Sequence, residues 1–372
     1  MISYIDNHTD SQKSYRNILA YIIKKGKTTR REIQQQTNYS WSSVSSVVAV
    51  LINKKHVIET DSVNRGVGRG TSYIIPNGEK FVSIGIDINS IGFSLTLLGI
   101  DGTIKYTNKK AFEVISKEGM INLIYEMIDD AVKFINDQYV LTSIGVSCQG
   151  KVDLEHKNFE IYPFCDEIVN LHLQQLLEER YGVHVFLEHD TNCLLEDYRH
   201  RFNDEIKSVC IARVVSGIGF TICVNGQSLE EFGSIDFGHF IVQPKGGPFC
   251  DCCKSYGCLE SYASTEGVAH RAGVSFDVID QNREQYREYL DDAAFYLGVT
   301  FANILNVFDL EEVVVTGNII GDDTTLLNKI QEACKQFERE KKVVVSYIKD
   351  LSASFGVARL ALIHKIETGE GL

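Results

Sequence analysis

The stretch GHFIVQPKGGPFCDCCKSYGCLES, residues 238–261, constrains the fold more than any other part of the chain. It packs Cys250, Cys252, Cys253 and Cys258 into nine positions, with His239 eleven residues ahead of the first. Three chemistries suit such a cluster: a disulfide, a redox pair or a metal site. The other cysteines, Cys148, Cys165, Cys193, Cys210, Cys223 and Cys334, are scattered among apolar neighbours and read as small buried hydrophobes. The opening MISYIDNHTDSQKSYRN lacks the charged-then-apolar pattern of a secretory leader, and no apolar run reaches the ~18 residues of a membrane span. The expectation is a cytoplasmic protein with no membrane partner, in which a disulfide framework is disfavoured. A CxxC redox pair, Cys250 with Cys253, lacks the thioredoxin-like strand that should precede it.

Charge is distributed unevenly. Residues 1–80 hold twelve Lys and Arg against six Asp and Glu, while the whole chain of 372 residues holds 37 against 50. A small basic module therefore precedes an acidic body that would repel nucleic acid. In the module, QKSYRNILAYIIKK sets Tyr15, Ile18, Leu19, Ile22 and Ile23 at helical spacing, and Gly26 ends that helix. The next segment, TTRREIQQQTNYSWSSVSSVVAVLINKKHVI, predicts two more helices. Thr28 or Thr29 caps the first, which carries Ile33, and Asn38-Tyr39 makes a tight turn. Ser40 caps the second, whose Val44, Val47, Val48, Leu51 and Ile52 form its apolar face.

The leading end of that last helix presents Ser40, Trp41, Ser42, Ser43, Ser45 and Ser46. These are short hydrogen-bonding groups and one aromatic, with no acid to repel phosphate, as a helix entering a major groove requires. Residues 57–60 and 72–75 read as two strands, and the loop between them, DSVNRGVGRGT, carries Arg65 and Arg69 in a glycine-rich tip suited to phosphates or a minor groove. Residues 1–78 are thus predicted to be a winged helix-turn-helix that binds operator DNA through these eight side chains.

Beyond Pro76-Asn77-Gly78 the pattern changes to α/β. FVSIGIDINS, IGFSLTLLGI and GTIKYTNKKAF predict three strands, followed by an amphipathic helix and the apolar strand VLTSIGVSCQG. KSVCIARVV and GFTICVNG repeat the strand–turn–strand theme, and a long helix, YREYLDDAAFYLGVTFANILNVF, leads to the buried strand EEVVVTGNII. Two lobes with similar openings imply a duplicated architecture with a ligand cleft between them. The expected division is 79–190 plus about 355–372 for the first lobe and 191–354 for the second.

At this point the body resembles the ROK family of sugar-responsive repressors and sugar kinases. IGIDINS is similar to the family's first-lobe entry, GVSCQGKVD to its GxGxPGxVD segment and EHDTNC to its NDAN segment. SIDFGHF is similar to GEhGH, and CDCCKSYGCLES to the CxCGxxGCxE signature. The winged helix places the chain in the repressor branch, similar to the xylose repressors of Gram-positive bacteria. The resemblance implies an actin/hexokinase-like, ribonuclease H-like fold and a structural zinc ion held by His239, Cys250, Cys252 and Cys258. The spacing holds one extra residue between His239 and Cys250 and another between Cys252 and Cys258, and Cys253 stands at the signature's glycine, so a Cys250–Cys253 knuckle is the alternative. The resemblance also implies a sugar site of His189, Asp190, Asp236, His239 and Glu260, with Asp190 at the place of the kinase base. A helix cap is the alternative role for Asp190.

The kinase apparatus is eroded. Family kinases cradle ATP phosphates with DxGGT, and here the segment reads Asp87-Ile88-Asn89-Ser90-Ile91. Side chains at Asn89 and Ser90 crowd the close backbone approach that glycines allow. VVSGIGF keeps Gly217 and Gly219, and VVVTGNII keeps one glycine of two. The expectation is therefore a sugar-responsive repressor of carbohydrate-utilisation genes without catalytic residues, dimeric or a dimer of dimers. The alternatives are an active sugar kinase with an appended DNA-binding domain and a repressor whose DNA affinity is set by a protein partner.

Overall fold

The computed structural model describes residues 10–60, 72–89, 92–111, 116–136, 138–149, 151–153, 158–161, 169–202, 207–229, 236–340 and 343–369. It divides into two compact units, Met1–His189 with Ala353–Leu372, and Asp190–Ser352. The first unit begins with α1 (Asp10–Lys25), α2 (Arg30–Thr37), α3 (Trp41–Asn53) and a two-stranded ribbon, β1 (Val57–Glu59) with β2 (Ile74–Pro76). Gly26 takes a positive φ of 74° just after α1. Thr29 forms a capping box with Glu32 at the start of α2, and Ser40 accepts the Ser43 N–H at the start of α3. Helix order, caps and ribbon are those of the expected winged helix; the wing tip with Arg65 and Arg69 lies outside the described residues.

The unit continues with β3 (Phe81–Asn89), β4 (Gly92–Gly99), β5 (Ile104–Lys110), α4 (Lys117–Ile135) and β6 (Val140–Cys148). A small sheet of β7 (Lys151–Asp153), β8 (Asn158–Ile161) and β9 (Val169–Leu171) follows, then α5 (Leu173–Tyr181) and β10 (His184–His189). The main sheet runs β10-β6-β3-β4-β5, with β3–β4 and β4–β5 antiparallel and β3–β6 and β6–β10 parallel.

The second unit holds α6 (Asp190–Arg201), β11 (Val209–Val214), β12 (Ile218–Val224), β13 (Gln227–Ser228), α7 (Leu259–Ala263), α8 (Thr265–Ala272), α9 (Phe276–Gln281), α10 (Arg287–Val307), β14 (Glu312–Gly317), α11 (Thr324–Phe337) and β15 (Val344–Tyr347). Its sheet runs β13-β12-β11-β14-β15, antiparallel through β11–β12–β13 and parallel through β11–β14–β15. Both sheets therefore have one topology: a three-stranded meander followed by two parallel strands.

The last helix, α12 (Ala353–Thr368), belongs to the first unit. It crosses the sheet at Gly85 and Gly145, which are directly paired on β3 and β6. A Cβ at Gly85 would lie 1.9 Å from the Ser354 carbonyl, and one at Gly145 2.2 Å from that of Val357, so only glycine admits the helix here. Farther along, Leu362, Ile363 and Ile366 join Ile18, Leu19, Ile22 and Ile23 of α1 in one core with Val44, Val48 and Leu51 of α3. The winged helix thus shares its core with the body's first unit. Among the described residues no helix is long and apolar enough to cross a membrane.

Candidate functional site

The cysteine loop sits between a single 3-10 turn, Phe237–His239, and α7. Isolated bridges pair Ile241 with Cys258 and Phe249 with Tyr256, and Cys250 N–H donates to the Ser255 carbonyl. This hairpin gathers His239, Cys250, Cys253 and Cys258, one ligand atom from each lying within 4.8 Å of the others. Three members of the expected set lie here together with Cys253, the residue of the alternative Cys250–Cys253 knuckle. Lys254, which follows Cys253, adopts φ 55°, a left-handed conformation. Cys250 and Cys253 stand three residues apart, and the turn brings both to the cluster. Cys252 is exposed and instead joins His239 and Glu260, again with ligand atoms within 4.8 Å of one another.

Burial pushes the Cys258 thiol up to about 12 and raises that of Cys250. A thiol cluster that resists ionisation by itself is one that a dication would stabilise as thiolate. The donor set therefore fits a metal ion. The five other described cysteines are buried, as expected, and Cys165 lies outside the described residues.

Glu260, in the first turn of α7, accepts the Ile218 N–H through Oε2 at 3.0 Å. That N–H belongs to the β11–β12 turn, which keeps Gly217 and Gly219. A Cβ on Gly217 would lie 2.9 Å from Glu260 Oε2. Burial raises the Glu260 carboxyl, opposed by the Ile218 N–H and the His239 imidazole. His239 turns its two ring nitrogens to different partners: Nδ1 lies 4.0 Å from Cys250 Sγ, and Nε2 lies 3.8 Å from the exposed Asp236 Oδ2. Asp236, His239 and Glu260 are thus neighbours on the cysteine loop.

Asp190 is the first residue of α6 and is buried. Its Oδ1 accepts the Thr191 N–H at 2.9 Å, and its Oδ2 pairs with the buried Arg213 guanidinium at 2.8 Å. The sequence offered no sign of Arg213, because a strand residue 23 positions away carries no local signal. His189 ends β10 in the other unit and is half-buried.

In the first unit, Asn89 turns inward. Its Nδ2 donates to Asp87 Oδ2 at 2.7 Å, and Ser147 Oγ donates to Asp87 Oδ1 at 2.7 Å. The side chain that replaces the first cradle glycine therefore binds the aspartate that begins the motif. Ser90 and Ile91 lie outside the described residues. On α3, Ser40 caps the helix and its hydroxyl also contacts those of Ser42 and Ser43. Trp41 is 52% exposed, Ser42 and Ser46 are exposed, and Ser43 and Ser45 are half-buried.

The sequence profile of the ROK family matches residues 83–363. The xylose repressor of Bacillus spizizenii is 26% identical over 370 residues, covering 94% of this chain and 95% of the relative. Among solved structures, a ROK family transcriptional regulator, a homologue of the E. coli MLC protein, is similar with a TM-score of 0.80 at 18% identity, covering 96% of this chain and 97% of that one. A ROK family glucokinase from Streptomyces griseus, in complex with glucose and AMPPNP, gives 0.64 at 21% identity over 76% of this chain and 99% of its own.

Proposed function

The chain belongs to the ROK family, and from that premise we propose that it is a sugar-responsive transcriptional repressor. The observation that carries this reading is the end-to-end similarity to a xylose repressor, winged helix included. The α3 face of Ser40, Trp41, Ser42, Ser43, Ser45 and Ser46, with Arg65 and Arg69 of the wing, reads operator DNA. The chain acts as a dimer, because two recognition helices about 34 Å apart match half-sites one DNA turn apart.

The effector is a monosaccharide, whose hydroxyls donate to Asp190, Asp236 and Glu260 and meet the imidazoles of His189 and His239. A zinc ion held by His239, Cys250, Cys253 and Cys258 is structural: four protein ligands close a tetrahedral site and leave no position for substrate. Its work is to fix the loop that carries His239 and Glu260. Sugar binding favours a state with weaker operator affinity, through a coupling of about 1–3 kcal/mol.

Phosphoryl transfer is not part of this reading. Asp87 has both carboxylate oxygens bound by Asn89 and Ser147, and Asp190 is paired with Arg213. Phosphoryl transfer rests on positioning and charge stabilisation, and these pairings support a body in which neither carboxylate is set up for it. The test uses DNA selected from random sequence by the full chain. Monosaccharides are then screened for release of that DNA and for a rise in melting temperature. The same sugars are given with ATP in a coupled assay. Release without turnover is the expected result; turnover abolished by Asp190→Ala would establish the kinase instead.

A further inference from the structure

Two sets of donors share His239, and only one of them is the closed Cys3His set. The other joins His239 with Cys252 and Glu260, one ligand atom from each within 4.8 Å of the rest. We propose that this second set is an open binding site for a thiophilic divalent cation, bridged to the closed site through the His239 imidazole.

Four observations support it. The imidazole faces two ways, with Nδ1 toward Cys250 and Nε2 toward Asp236, so coordination through one nitrogen leaves the other directed away from the closed site. Glu260 is oriented by the Ile218 N–H on Oε2, the kind of outer hydrogen bond that fixes a carboxylate ligand while leaving its other oxygen to bind. Cys252 is exposed, which gives an ion a path from solvent, whereas Cys258 of the closed set is buried. Finally, Cys252 is not needed to complete the closed set.

The chemistry is that of an open zinc-type site. Thiolate, imidazole and carboxylate suit Zn2+ or Co2+ and disfavour Mg2+ and Ca2+, and three protein ligands leave a fourth position for water or another ligand. On coordination the Cys252 thiol gives its proton to solvent, and bridging removes the second imidazole proton in the same way. An ion held there would occupy His239 and Glu260 and so compete with a monosaccharide, a consequence that rests on the sugar-sensing reading. The site itself does not.

The test uses the full chain, reduced, stripped of metal and titrated anaerobically with Co2+ alone. Bound cobalt is counted after gel filtration, and thiolate-to-cobalt charge transfer is followed in parallel. Wild type should take up about two ions per chain, and C252S about one, with the absorption of the tighter, thiolate-rich site kept. E260Q should weaken the second ion at least tenfold and spare the first, which separates loss of a ligand from loss of the fold. Saturation of wild type at one ion, or uptake of two by C252S, would overturn the proposal. Because no sugar or DNA enters the measurement, its failure leaves the repressor reading standing.

Discussion

The hairpins β3–β4 and β11–β12 occupy the same place in two sheets of identical strand order, yet they are braced in different ways. The end of β3 is closed from within: Asp87 is bound by Asn89 two residues on and by Ser147 of the adjacent strand β6. The β11–β12 turn relies on a loop outside the sheet, since Ile218 N–H reaches Glu260, two residues after Cys258. Gly238, next to His239, packs so closely on this turn that a Cβ would lie 2.3 Å from the Ile218 carbonyl. Shared topology fixes where the turns fall. The side chains decide whether a turn is braced from within its sheet or by a loop outside it.

Metal removal should break the symmetry most strongly. Chelation is expected to expose amides of β12 and of residues 236–260 to hydrogen exchange while β3 and β4 keep their protection. An ion present at a thousand times its dissociation constant contributes about 4 kcal/mol to the state that binds it. Equal loss of protection in both sheets, or none in either, would show that the loop does not brace the second hairpin.

Acid should act on the opposite unit. His56 is 4% exposed, with its ring against Phe81 and its Nδ1 hydrogen-bonded with the Tyr15 hydroxyl at 2.6 Å. Burial first, then the charges of Lys54 and Lys80, lower the imidazole from 6.5 to about 4. The folded state thus holds His56 neutral, while the unfolded chain takes up a proton below about pH 6.5. Its contribution is fully present above that pH and is lost as pH falls toward 4, by on the order of 3 kcal/mol in all. Denaturation midpoints between pH 7 and 4.5 should fall less steeply for His56→Gln than for wild type. Parallel slopes would remove His56 as the cause.

A smaller perturbation sharpens the contrast at the second hairpin. Gly217→Ala puts a methyl 2.9 Å from Glu260 Oε2 and must displace that carboxylate. Monosaccharide affinity should drop about tenfold, or ~1.4 kcal/mol, with operator affinity in the absence of sugar unchanged. Calorimetric titration of sugar into the variant, beside an anisotropy measurement on DNA, reads both. Unchanged sugar affinity would detach Glu260 from the effector.

How much of this was legible in the sequence depends on the range of the contacts involved. Gly26, Thr29 and Ser40 mark helix ends through bonds within three or four residues, and all three caps fall where the sequence puts them. The pattern of Ile18, Ile22, Val44 and Val48 gave the winged-helix core but not its partners on α12, because that helix is apolar nearly all round and its period names no single face. Cys250 and Cys258 were legible as members of the cluster that the fold brings together. The sequence left Cys252 and Cys253 as alternatives, and only the folded loop separates them, Cys253 beside Cys250 and Cys258 and Cys252 beside Glu260. The Arg213–Asp190 and Ser147–Asp87 pairs join residues 23 and 60 positions apart, which only the folded sheets bring together.

The mildest change asks whether the first hairpin's closure is what withholds it from phosphate chemistry. Asn89→Gly restores the first glycine of the DxGGT pattern and removes the amide that binds Asp87 Oδ2. Loss of one buried hydrogen bond, together with glycine in a strand, should cost about 1–2 kcal/mol, read from the urea midpoint. No ATP turnover is expected, because Ser147 still holds Asp87 Oδ1 and Arg213 still holds Asp190 Oδ2. Adding Ser147→Ala frees Asp87 from both of these partners but leaves the second unit untouched, so turnover should stay absent in the double variant as well. Sugar-dependent phosphoryl transfer by Asn89→Gly alone would show that a single side chain separates this body from a kinase, and that the two hairpins differ less in chemistry than their bracing implies.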